Sequence, residues 1–235
     1  MTWPTKTDFV DGDVLTAAQV NNIGTNLNLY NPTSATAGQV PVADGAGSVA
    51  FGTPTSAFAI QVPTSVDQAG GSATINTDGS VSFTTVTTLS LNGVFTATAT
   101  NYVIVLKTLA NSGNNFLQLR MRAAGTDNTT ASSYVTQRNL FYSTTSSLAR
   151  ITNTYAQVGY VSSHLRDGTT INIYAPFLAE PTAISSLNSA GNTTNNPITF
   201  LGVANHNQST SYDGVTLYPD SQNMTGIVTV YALGD

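Results

Sequence analysis

The chain has 235 residues, of which 8% are charged against about 25% in an ordinary soluble domain, and its 7 Lys and Arg against 12 Asp and Glu leave a net charge of -5. That balance offers no basic footprint for nucleic acid, and 40% hydrophobic content argues against disorder. Cysteine is absent, which removes disulfides and thiolate metal sites and leaves the fold to packing alone.

From the N-terminus, Met1 to Val14 contains Lys6 but no apolar core after it, so no classical export signal is expected. No segment approaches the roughly 18 consecutive apolar residues of a membrane span, and no membrane insertion is expected. Trp3, Pro4 and Phe9 form an apolar start with no core of its own, the usual mark of an interface, and are the candidate anchoring contacts. The alternative packs Trp3 back on the following helix. Asp8, Asp11 and Asp13 are the one local acidic cluster. They read as a solvated, helix-capping run rather than a cation site, since negative charge near a helix N-terminus is mildly favourable.

One helix is predicted, from Val14 to about Leu29. Thr16 and Gln19 have the spacing of a capping box, and Val20, Ile23, Leu27 and Tyr30 follow at intervals of 3, 4 and 3, the rhythm of a coiled-coil seam. Asn and Gly weaken it, and so short a helix is marginal in water alone. It therefore packs either on copies of itself, making these four residues the oligomerisation set, or on its own domain's sheet.

Residues 31–85 read as a linker or shaft of short polar segments. Two apolar pieces flank Asp44-Gly45, and Asp78-Gly79 repeats the pattern, so two β-hairpins are expected. Residues 86–235 read as an antiparallel β-sandwich head of jelly-roll type. Its candidate strands are Thr85 to Leu91, Tyr102 to Leu109, Phe116 to Arg122, Leu140 to Tyr142, Tyr155 to Val161, Thr170 to Ala175, Ile198 to Ala204 and Gly226 to Leu233. In Phe116 to Arg122 the alternation places Leu117, Leu119 and Met121 inward and Gln118, Arg120 and Arg122 outward.

The chemistry of catalysis is sparse. The two histidines, His164 and His206, do not have the spacing of a helical metal pair, and Glu180 is the sole glutamate. Asp127, Asp167, Asp213 and Asp220 each sit beside a turn former, where Asp bonds its own backbone; only convergence of two in one cleft supports acid/base work. Ala43 to Ser48 lacks the Lys-Ser/Thr of a phosphate loop. The Asn-x-Ser/Thr triplets at Asn128, Asn192, Asn207 and Asn223 are what an Asn- and Thr-rich chain contains by chance. No enzyme activity, cofactor or metal is expected.

Trp3-Pro4 followed by Asp8 to Leu27 resembles the N-terminal region of bacteriophage tail-fibre and related virion proteins. Gly38 to Gly47 resembles the short β units of such fibres, and Ser211 to Tyr231 the closing segment of their heads. The resemblance implies a homotrimer attached to other virion proteins by its N-terminal segment, assembled in the host cytoplasm, with a head facing outward. At 235 residues the chain is short for a long tail fibre, which leaves a collar fibre, a short tail appendage or a capsid decoration protein. Two roles are weighed. In one, the head binds host surface polysaccharide through the loop Asn205 to Asp213, with His206, Asn207, Tyr212 and Asp213 as candidate contacts; in the other, the protein is structural cement with no receptor role, and that loop is an ordinary polar loop. A glycan-degrading enzyme is disfavoured by the shortage of Glu and by the absence of a long β-helical repeat.

Overall fold

The computed structural model describes residues 39–43, 49–52, 58–110, 113–163, 166–191 and 196–233. The predicted helix, with Val20, Ile23, Leu27 and Tyr30, and the anchoring residues Trp3, Pro4 and Phe9, lie outside the described residues. The chain divides into two compact units, Met1–Ser56 and Ala57–Asp235.

In the first unit, strands β1 (Val40–Ala43) and β2 (Val49–Gly52) pair antiparallel, Val40 opposite Gly52 and Ala43 opposite Val49. The two strands expected to flank Asp44-Gly45 pair as a hairpin requires, and Asp44-Gly45 itself lies outside the described residues.

In the second unit, two antiparallel sheets form a sandwich-like, mainly β structure, with no helix among the described residues. Its early strands are β3 (Phe58–Ile60), β4 (Ser65–Ala69), β5 (Ser72–Ile75), β6 (Val81–Val86), β7 (Thr88–Asn92), β8 (Asn101–Ala110), β9 (Asn115–Ala123) and β10 (Thr126–Asp127). There follow β11 (Tyr134–Tyr142), β12 (Thr145–Asn153), β13 (Ala156–Val161), β14 (Asp167–Tyr174), β15 (Thr182–Gly191), β16 (Pro197–His206), β17 (Gly214–Pro219) and β18 (Met224–Leu233). The large sheet runs β12-β11-β16-β15-β14-β8-β18-β6-β5, with β3 also on β18. The small sheet runs β10-β9-β17-β7-β4, with β13 also on β9. Residues 57–85, assigned to a shaft from sequence, are part of this unit, because β3 to β6 pair within the two sheets.

The hairpin at Asp78-Gly79 forms as the residues dictate. Gly79 takes φ +83°, a left-handed conformation that glycine adopts without steric cost, while the Asp78 carboxylate accepts from the Ser80 N–H (3.0 Å) and hydroxyl (2.6 Å). These two bonds hold the Asp78 carboxyl below its usual range.

The stretch Thr85 to Leu91, read as one strand, is two. β6 lies in the large sheet and β7 in the small one, and the chain crosses between them at Thr87. Six strands were not anticipated as such: β3, β4, β10, β12, β15 and β17. β15, Thr-Ala-Ile-Ser-Ser-Leu-Asn-Ser-Ala-Gly, is weak in strand-favouring side chains, and ladders on both flanks hold it extended, with β14 on one side and β16 on the other.

The core lies between the sheets. Leu117, Leu119 and Met121 of β9 face inward as the alternation predicts, with Leu89, Leu91, Val215 and Leu217 from neighbouring strands of the small sheet. Ile104, Leu106, Ile171, Ile173 and Ile184 meet them from the large sheet. Gly226 lies at a register shift where β18 crosses between β6 and β8, and a Cβ there would strike the Lys107 carbonyl oxygen and approach the Phe83 ring to 2.9 Å. Gly226→Ala is expected to cost about 2–3 kcal/mol, as overpacking of a filled core does, read as a lower urea midpoint at unchanged slope.

Candidate functional site

The loop from Asn205 to Asp213 divides between interior and surface. His206 closes β16 with its imidazole fully buried, Nδ1 3.3 Å from the Ser133 carbonyl and Nε2 2.6 Å from the Tyr212 hydroxyl. A carbonyl only accepts, so Nδ1 carries the proton and Nε2 accepts from Tyr212. The Tyr134 ring stacks on the imidazole with centroids 4.1 Å apart. The Tyr134 hydroxyl accepts from the Met121 N–H at 2.8 Å, and the Asn128 side-chain amide donates to the Tyr212 hydroxyl at 2.8 Å. Burial lowers the His206 pKa to about 4 and pushes the Tyr134 and Tyr212 phenols up.

Two of the four candidate receptor contacts therefore need correction. His206 and Tyr212 are withdrawn into the core, where they tie β16 to the 128–134 segment and present no group to a ligand. Asn207 remains exposed, with its N–H bonded to the Ser133 carbonyl at 2.9 Å. Asp213 is half-buried and stitches strands together: its carboxylate accepts from the Ala124 N–H, and its carbonyl accepts from the Phe95 N–H. No sequence signal links Tyr134 to His206, because their contact arises only from β11 pairing with β16, Tyr134 opposite His206.

The aspartates behave as backbone and ion-pair groups. Asp127 bonds Arg122 Nη1 at 2.5 Å and accepts from the Thr216 hydroxyl at 2.6 Å. Arg122 is 7% exposed and also reaches Asn92 Oδ1, Ser90 Oγ and Thr216 Oγ1, each at 3.0 Å, together with the Gly125 carbonyl and, at 3.4 Å, Asp67. Beside this cluster the Arg120 guanidinium lies 4.9 Å from the Tyr218 ring centroid and 4.0 Å from Asp127. The outward face of the small sheet is thus polar and hydrogen-bonded around Arg122. Arg122 occupies its predicted outward position, yet its neighbours bury it.

Asp167 is fully buried at the start of β14. Its carboxylate accepts from the Ser162 N–H at 2.5 Å, with the Gly191 backbone as a second, weaker partner. Burial raises its pKa to about 7. Asp220 is exposed, with its N–H on the Phe116 carbonyl, and Glu180 is exposed on the turn before β15. His164 and Asn192 lie outside the described residues. No group of three or more His, Asp or Glu side chains able to hold a metal occurs among the described residues.

A broad concavity lies elsewhere, on the outward face of the large sheet. Leu148, Leu187, Leu201 and Val203 line a depression of about 920 Å³ together with Gln137, Asn139 and Arg150. It is an apolar surface with amides at its margin and without a carboxylate, which suits contact and binding rather than proton transfer.

The fold defines a class, a mainly β protein of two antiparallel sheets. No protein-family model, curated protein or solved structure matches the chain.

Proposed function

We propose that the chain is a bacteriophage virion structural protein, a homotrimeric fibre or tail or collar appendage, with a jelly-roll-like head that contacts host surface glycan. The observation that carries this reading is that Ser211 to Tyr231, the segment resembling the close of fibre heads, supplies β17 to the small sheet and most of β18 to the large one. It is thus a central part of the head rather than a tail. The helix at residues 14–29 trimerises the chain, Trp3, Pro4 and Phe9 hold it to other virion proteins, and the exposed Asn207 is the receptor contact on the His206–Tyr212 support. The reading assigns it no catalysis.

Gold-labelled antibody against the head, applied to intact particles, tests this. Label at the tail or collar supports an appendage, an array over the capsid shifts the role to decoration, and unlabelled particles with the protein absent from their composition overturn both. Leu27→Asp places a carboxylate in the helical seam and is expected to abolish trimer formation. Sedimentation of an intact trimer by that variant removes the helix from its role.

A further inference from the structure

The two outward sheet faces of this unit contrast sharply. Across the small sheet, Asp67, Ser90, Thr216, Arg122 and Asp127 form a bonded polar cluster in which Ser90, Thr216 and Arg122 are themselves buried, so this face exposes no apolar row. Across the large sheet, registered pairs give a row Leu148–Asn139–Leu201–Leu187–Thr170–Val105 running from β12 to β8. Val203 lies in the next row, and Phe141, Tyr174 and Ile227 lie outward at the margins. Each of the eight apolar side chains is more than a third exposed, with Leu148 at 77%. Lys107 and Arg150 are the charges among the outward positions of these strands, one on each side of the row, and no carboxylate occurs there.

The area is large enough to decide something. Eight apolar side chains near half exposure offer roughly 700–800 Å², more than the few hundred Å² a monomer usually leaves in water. That is about one partner's share of a standard protein interface, about 800 Å².

The sheet edge beside the face points the same way. Edge strands are normally kept short, bulged or charged to prevent pairing with another chain. β5 has 4 residues, β10 has 2, β4 carries Asp67, and β13 has a register shift between Gln157 and Gly159. β12 is neither short nor bulged, although like β4 it carries one charge. It pairs with β11 over nine consecutive positions without a shift and contains no proline and a single charge, Arg150.

We propose that the outward face of the large sheet, centred on Leu201 and Leu187 and continuing onto the β12 edge, is where the head packs against another copy of this chain. A charged macromolecule finds no matching charge pattern here, whereas a charge-poor apolar centre is the composition of interfaces between identical subunits. The proposal rests on the self-association in the function proposed above, and on neither the virion role nor the N-terminal seam.

The absence of cysteine makes single-cysteine probes clean. Full-length chain carrying Leu201→Cys or, as the open reference, Asn207→Cys is labelled with a maleimide while light scattering gives its mass. The expected result is a mass above the 24.5 kDa of one chain, with Leu201→Cys labelled about tenfold more slowly than Asn207→Cys. Adding Leu148→Lys to the Leu201→Cys chain is expected to restore fast labelling. Equal rates at the two positions overturn the proposal, as does slow labelling in a chain of single-copy mass, which would mean that the chain covers this face itself. Leu187→Cys, opposite Leu201, replaces Leu201→Cys if that variant loses its cooperative melt. Failure here leaves the virion reading to the particle labelling, and particles without label leave these rates unchanged.

Discussion

The Asp167→Asn variant is expected to gain stability as pH rises between about 4.5 and 6, and His206→Gln to lose it, while the parent chain stays nearly flat. Asp167 has a folded pKa of about 7, raised from 3.8 by burial. Its contribution to stability is complete below the unfolded pKa and is lost as pH rises toward 7, because the native state holds a proton that the unfolded chain has released. His206 has the opposite sign. Its folded pKa of about 4 is depressed from 6.5, so its contribution is complete above 6.5 and is lost as pH falls toward 4.

Within the shared window each group contributes about 1.4 kcal/mol per pH unit, with opposite slopes that cancel. Asp167→Asn keeps an oxygen for the Ser162 N–H, removes the falling slope and leaves the rise due to His206. His206→Gln lowers stability at every pH through the lost Tyr134 stack, but its pH slope is the informative quantity. Urea unfolding at several pH values, at one protein concentration, reads all three profiles. Parallel profiles for the parent and both variants would show that neither group titrates as its burial requires.

Arg122→Ala is expected to cost about 2–3 kcal/mol, because several buried acceptors lose a charged donor while Asp127, partly exposed, keeps the Thr216 hydroxyl and Arg120. Asp127 would lose its 2.5 Å partner, and Asn92, Ser90 and Thr216 would each lose a charge-assisted bond. The pairing of β10 with β9, Asp127 opposite Arg122, should loosen first. Removing the charge on both sides, Arg122→Met with Asp127→Leu, is expected to recover a large part of the loss, because buried ion pairs replaced together by apolar groups are often neutral. Denaturant melts of the single and double variants measure this. A single variant within about 0.5 kcal/mol of the parent would mean that the cluster behaves as an exposed surface network.

The placement of the proposed receptor residues shows where a linear reading fails. Asn205 to Asp213 has the composition of an exposed polar loop, and three of its groups, imidazole, phenol and carboxylate, look available. The backbone turns His206 and Tyr212 inward because Tyr134 of β11 and Asn128 supply the stacking and hydrogen bonds that a buried imidazole and phenol require. Those partners are 72 residues (Tyr134 from His206) and 84 residues (Asn128 from Tyr212) away along the chain, and are brought near by the β11 and β16 ladder.

What the chain's own residues determine is local. The period of two in Phe116 to Arg122 sets which side chains of β9 enter the core, since a strand alternates its faces whatever surrounds it. Asp-Gly at positions 78–79 sets a turn, because its left-handed backbone is open to few other residue pairs. The mainly β class and the lack of disulfides follow from composition in the same way. Tertiary structure decided the rest: that Thr85 to Leu91 divides between two sheets, that the serine-rich β15 is a strand, that Arg122 is buried by its neighbours, and that Leu148, Leu187 and Leu201 lie side by side in the open. Each depends on pairing between residues far apart in sequence, and neither propensity nor period contains that pairing.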